Sequence, residues 1–283
     1  LRGELGLDIS EVKAAYTAAF THEWQLEVTL YQRGEDTERL GTIRVFGGSA
    51  TLSWKEPVPH LTSFLRYDLR QVGLAKPLVR SAGVFDVDDT VSITPRTGQI
   101  GPGFVYDRRD SAFSPTCGWQ VGGSASYAHQ ALFGTSEFAK LHGSAQLLVP
   151  GSRDAATTFR GCEGRPMKKP PFRAPVTLAQ GLRYDHGIPL GGDVVLSEID
   201  RFFAGGDTTV RGFEEDALRT TQIEYELVPG SGATAFRTTP QGGNIRLGHN
   251  LELWVPIPME YVTLFGLPLM MATFLDTGLI ANS

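Results

Sequence analysis

The sequence has no run that could cross a bilayer as a helix. Its longest uncharged apolar stretch, Tyr261 to Leu275, is interrupted by Gly266 and Pro268, and it falls short of the roughly 18 to 20 residues a spanning helix needs. Only helices and closed barrels satisfy every backbone group in hydrocarbon, so any membrane-crossing form of this chain is a barrel. Cysteine is nearly missing. Cys117 and Cys162 are the only two and neither sits in a C-x-x-C pair, which leaves zinc and thioredoxin-type motifs unsupported. Positive charge is not in excess. The net charge of −5 speaks against a nucleic-acid partner, which usually needs a basic face.

Catalytic patterns are missing too. There is no G-x-S-x-G elbow and no H-E-x-x-H helix, so the common hydrolase and metalloprotease chemistries have no anchor. His22, His60, His129, His142, His186 and His249 are scattered without ligand spacing. Asp86, Asp88 and Asp89 lack the glycine and final glutamate of an EF-hand and read as a solvated acidic loop. No catalytic residue, metal site or cofactor is assigned. The first residues, Leu1-Arg2-Gly3-Glu4-Leu5, have neither the basic start nor the apolar core of a signal peptide. The chain reads as a fragment or a processed product.

What is present is alternation with period two, the mark of half-buried strands. In Asn244 to Pro256, Ile245, Leu247, Leu251, Leu253 and Val255 share one face, with His249 the exception; Asn244, Arg246, Asn250 and Glu252 share the other. Trp119 to Ala131 repeats the pattern. So do Leu141 to Val149, set against Lys140, His142, Ser144 and Gln146, and Leu61 to Leu69, set against Thr62, Arg66, Asp68 and Arg70. Trp24, Leu26, Val28 and Leu30 alternate with Gln25, Glu27 and Thr29. About ten such segments occur, each about ten residues long, which suits a tilted transmembrane strand better than a globular one. Trp24, Trp54, Trp119 and Trp254 are candidates for interface girdles. Glu11 to Thr21 fits a helical turn or a poorly patterned strand. Arg33 to Asp36 reads as a hairpin tip, and Val72 to Asp89 and Gly151 to Pro171 as long loops. A large soluble β-sandwich also alternates; strand length favours an antiparallel transmembrane β-barrel.

One segment is more specific: Arg201-Phe202-Phe203-Ala204-Gly205-Gly206-Asp207-Thr208-Thr209-Val210-Arg211-Gly212-Phe213. Around it, in order, stand Gly101 to Ser111, the turn Ser114 to Trp119, Gly242-Gly243-Asn244 with Asn250 to Leu253, and Phe274-Leu275-Asp276-Thr277-Gly278. Together they resemble the BamA/TamA superfamily of outer-membrane β-barrels, the bacterial surface antigen family. The likeness is specific from Gly101 to Gly278 and rests on pattern alone before that.

The resemblance implies a barrel of sixteen strands whose sixth extracellular loop carries the signature and folds back into the lumen. Gly205, Gly206, Val210, Arg211, Gly212 and Phe213 are then the lumenal loop motif, and Asp276 is the wall residue that Arg211 meets. Asp107, Arg109 and Asp110, beside Tyr106, are expected as a lumenal charge network. Residues 1–283 are expected to form one partial barrel domain, with the periplasmic POTRA repeats and final strands absent from the chain. Counting strands from the loop, extracellular by the resemblance, puts Cys117 and the Gly151 to Pro171 loop on the periplasmic side. That is an oxidising compartment, and a Cys117–Cys162 disulfide is a candidate there. The implied protein is no enzyme and uses no cofactor. It sits in the bacterial outer membrane, where it folds and inserts other β-barrel proteins. Its partners would be outer-membrane lipid, unfolded outer-membrane proteins and periplasmic accessory lipoproteins, with no nucleic acid. A polypeptide translocator, a passive porin-like barrel and an enzyme barrel are the alternatives, the last without a nucleophile to support it.

Overall fold

A computed structural model describes residues 11–37, 41–74, 95–112, 115–151, 176–191, 196–197, 200–207, 209–214, 217–218, 220–227, 234–240, 242–257 and 270–282. Its strands are β1 (Glu11–Ala19), β2 (Trp24–Thr37), β3 (Gly41–Lys55), β4 (Leu61–Leu74), β5 (Arg96–Asp107), β6 (Gly118–Ala128), β7 (Phe138–Pro150), β8 (Thr177–Pro189), β9 (Thr221–Leu227), β10 (Thr234–Pro240), β11 (Ile245–Pro256) and β12 (Met270–Ala281). Ten of them form one antiparallel sheet in the order β1 to β8, then β11, then β12. β9 and β10 pair with each other as a separate hairpin inside the β8–β11 connection, an element that alternation did not announce. The chain is all-β, and every strand pairing among the described residues is antiparallel.

The sheet is inside out relative to a soluble protein. Val28, Leu65, Leu141, Leu182, Leu253 and Leu275 are exposed, and the strand registers place them all on one face. On the opposite face Thr29, Asp68, Thr97 and Asp185 are buried. An apolar exterior over a polar interior is stable only where the surroundings are hydrocarbon. Aromatic rings gather at one end of the outer face. Trp24 and Trp54 stack with centroids 5.3 Å apart, and Tyr106 lies 5.3 Å from Trp119. Between them is a shallow apolar depression of about 760 Å³ lined by Leu52, Leu65, Pro102 and Phe104.

Several local expectations change. Glu11–Ala19 is a strand. Arg33 to Asp36 lies within β2, because the β2–β3 ladder continues to Thr37 opposite Gly41. Val72 to Leu74 extend β4, opposite Val45 to Ile43; Asp86, Asp88 and Asp89 fall outside the described residues. Gln130 belongs to a 3₁₀ turn, Gln130–Leu132, and not to β6. Trp254 does not join the outer girdle. It has the parity of Glu252, and its indole N–H donates to the Glu252 carboxylate at 2.6 Å.

Candidate functional site: a loop seated on the inner face

After β8 the chain turns back over the polar face of the sheet. Phe202 bridges to Gly243, Ala204 to Leu218 and Gly206 to Val210, so the segment carries its own short ladder contacts instead of lying as free coil. Two glycines matter for different reasons. At Gly212 a side chain would meet nothing within 4 Å, yet φ is +89°, so conformation and not space demands glycine. Gly278, on β12, faces the loop. A Cβ there would come within 2.7 Å of the Val210 side chain, so its absence lets the loop approach the wall. Val210 is 2% exposed.

The structure brings Arg211 and Asp276 together. Arg211 Nε donates to Asp276 Oδ2 and Nη2 to Oδ1, each at 2.7 Å, and the Arg211 backbone N–H adds a third bond at 2.9 Å. This is the bidentate fork that guanidinium and carboxylate planes favour. Asn250 on β11 donates to Asp276 Oδ1 at 2.8 Å and to the Thr209 carbonyl at 3.2 Å. Glu252, also on β11, reaches Arg211 Nη2 at 2.6 Å. The guanidinium lies 3.9 Å above the Phe274 ring. The Asp276 side chain is 1% exposed, so its charge is tied down by groups and not by bulk water. Beside this seat a polar cavity of about 240 Å³ is lined by Gln146, Asp207, Arg211, Glu252 and Trp254. Gly205 and Gly206 form the turn upstream, both at positive φ. Phe213, the last residue of the motif, is exposed.

Two further ionic clusters lie under the upstream half of the loop. Asp200, 1% exposed, is held by Arg70 of β4, by Lys140 of β7 at 3.1 Å and by the Ser197 hydroxyl at 2.8 Å. Burial pushes its carboxyl up, but Lys140 and Arg70 outweigh burial and hold it below the ordinary carboxylate value. Asp185 of β8 pairs with His142 of β7 and with Arg246 of β11, the latter at 2.6 Å; Arg246 also donates to the Phe203 carbonyl at 3.1 Å. The Phe202 ring sits between Lys140 and Arg246, at 5.6 and 5.4 Å.

The predicted network at Asp107, Arg109 and Asp110 divides. Arg109 forks onto Asp107 at 2.9 and 2.7 Å and reaches Gln146 at 3.1 Å, while Gln120 donates to Asp107 at 3.0 Å. Asp110 takes no direct part in these bonds. It accepts from Thr116 N, Thr116 Oγ1 and Cys117 N at 2.9, 2.7 and 3.2 Å, and so braces the turn before β6. Tyr106 faces outward with Trp119. Cys117 is disulfide-bonded; Cys162 lies outside the described residues. The sheet topology puts the Cys117 turn and the β7–β8 connection at the same end.

Alternation had already put Asn250, Glu252, Arg246, Lys140 and His142 on the polar face, without saying what they meet. Asp185 and Asp200 were missed. A usable signal existed for Asp185, because an acid on the inner face of a spanning strand needs a partner.

A model of the Omp85 superfamily domain matches residues 13–283. Among solved structures, the chain is similar to BamA from Haemophilus ducreyi lacking POTRA domains 1-3. The identity is 16% and the TM-score 0.68, over 96% of this chain and 49% of that one. The chain thus spans about half the length of that structure. No curated protein matches.

Proposed function

This chain belongs to the Omp85 superfamily of outer-membrane β-barrel proteins, and on that premise we propose that it folds and inserts other β-barrel proteins into the bacterial outer membrane. The observation that carries this is the loop seat. A loop clamped to β12 by the Arg211 fork braces the wall from inside and spends the barrel's charge on its own architecture. The work is then mechanical: a barrel edge offers its backbone N–H and C=O groups to an incoming strand, which pairs by β-augmentation. Outer-membrane lipid, unfolded barrel proteins and periplasmic accessory lipoproteins are the proposed partners.

A polypeptide translocator is the second candidate. It is favoured by the polar row on the inner face of β2 to β6, with Glu27, Thr29, Arg66, Asp68, Gln99 and Gln120, which would hydrate a passing chain. Depletion followed by a census of folded outer-membrane proteins separates the two. Broad loss of barrels supports assembly. Loss of one exported polypeptide with barrels intact supports translocation. Loss of small-solute permeability alone overturns both in favour of a passive pore.

A further inference from the structure

The signature fork is not the loop's only ionic attachment, and the second one has the opposite polarity. At Arg211 the loop supplies the cation and the wall supplies the acid, Asp276. At Asp200 the loop supplies the acid and the wall supplies two cations, Arg70 and Lys140. Those cations come from β4 and β7, three strand spacings apart, or roughly 14 Å along a flat sheet. The long Arg70 and Lys140 side chains cover that separation and converge on one carboxylate. The attachment has its own packing. Leu196 is 3% exposed; it covers Gly187, where a Cβ would collide with its side chain. Phe202 stacks its ring between Lys140 and Arg246.

We propose that Asp200 is a positioning residue forming a second latch, independent of Arg211, and that the loop leaves the inner face only when both latches open. The opposite polarities give this a consequence. A cationic segment entering the lumen competes for Asp200 or Asp276, and in doing so it frees one end of the loop at the wall and the other in the loop itself. An anionic segment competes for Arg211 or for the Arg70 and Lys140 pair. A charge of either sign therefore competes at both latches, and it ends up held by the loop at one end and by the wall at the other. Any role in the cycle of the barrel rests on the assembly function proposed above; the existence of the latch does not.

Two buried loop side chains report on the two ends: Leu196 near Asp200 and Val210 beside Arg211, 3% and 2% exposed. Leu196→Cys and Val210→Cys are introduced separately into the full-length protein in its native membrane. Maleimide labelling rates are then read without reductant, with the parent chain labelled in parallel. Asp200→Asn is expected to raise labelling at position 196 by about tenfold or more, the scale for unpairing a buried ion, and to leave position 210 within about twofold. Arg211→Ala should do the reverse. Combining them should expose both. If Asp200→Asn prevents assembly, Lys140→Gln keeps Arg70 on the acid and should give a smaller shift at position 196 only. Asp200→Lys with Lys140→Asp should restore part of the protection. The proposal is overturned if both positions respond together to either change, which makes the loop one unit, or if position 196 ignores Asp200→Asn and Lys140→Gln alike. The labelling reads loop position and not barrel assembly, so either outcome leaves the depletion census untouched.

Discussion

Asp107 and Asp276 each hold an arginine through two parallel N–H···O bonds of nearly equal length. Arg109 stands two residues from its aspartate; Arg211 stands 65 from its own. The local fork stiffens the end of a strand that the ladder already fixes. The distant fork holds a loop that lies outside the ten-strand ladder, and it closes around a carboxylate 1% exposed where the Asp107 side chain is 30% exposed. Identical chemistry is therefore weighted by two things. One is how much chain it orders, and the other is how much water is left to replace it.

The comparison breaks first at Asp276. Asp276→Ala leaves Arg211 and Asn250 facing a hole, and loss of one partner from a buried pair costs about 3 to 5 kcal/mol. The lower end applies here, because Arg211 remains 25% exposed. The expected outcome is a loop open to protease with the ten-strand sheet still folded, read as limited proteolysis against heat-modifiable mobility of the barrel in gels. Unchanged proteolysis would show that Glu252 and the Phe274 ring suffice to hold Arg211.

One residue earlier the same strand faces the other way. Leu275 is 58% exposed on the outer face. Leu275→Arg should cost about 2 to 4 kcal/mol if the residue lies near the bilayer midplane, and less toward an interface. The urea midpoint for folding into vesicles measures it. A neutral result would place position 275 at an interface or in water, and would remove the contrast between the two faces.

That contrast was legible in the sequence because a strand's period is fixed by its pleat. Trp254 escaped it. Its aromatic ring suggested the interface, but its position two after Glu252 put it inside. The seat was legible only where a contiguous motif marked it, at Arg211 and Asp276. Asn250 and Glu252 carried the correct parity but no stated partner. Asp200 had no periodicity to reveal it, since it sits in a loop and its cations lie 130 and 60 residues away. Such pairs are set by which strands the fold makes neighbours, and that is not written locally. The β9–β10 hairpin was missed for a related reason. At seven residues per strand, it is shorter than the segments by which the spanning strands were recognised.

Asp110 sharpens the comparison from the other side. It pairs with no cation in a fork; it accepts three hydrogen bonds from Thr116 and Cys117. Bonds to a charged acceptor are worth about 1.5 to 3 kcal/mol each where buried, and their sum is smaller where, as here, the group is only half-buried. Asp110→Ala is expected to lower the urea midpoint by the equivalent of about 1 to 2 kcal/mol. Asp110→Asn should recover part of this by keeping an acceptor. If both substitutions are silent, the Cys117 disulfide and the backbone bonds Asp110 N–H to Cys117 O and Arg108 N–H to Trp119 O hold the turn without the carboxylate.

The smallest effect belongs to the local fork. Asp107→Asn removes the charge from a pair whose carboxylate end is 30% exposed, and such partly solvated pairs contribute about 0 to 1 kcal/mol. The amide still accepts from one guanidinium N–H, and the backbone N–H of Arg109, now 3.0 Å from Asp107 Oδ1, keeps its acceptor. Gln146 continues to engage Arg109 from β7. Because β5 pairs with β4 and β6 along its length, little chain entropy depends on the fork. The folding midpoint should move by less than about 1 kcal/mol, and loop proteolysis should not move at all. Should Asp107→Asn instead loosen the loop as Asp276→Ala does, then the Arg109–Gln146 contact must transmit strain to the seat through the cavity that Gln146 shares with Arg211. The two forks would then be one network and not two.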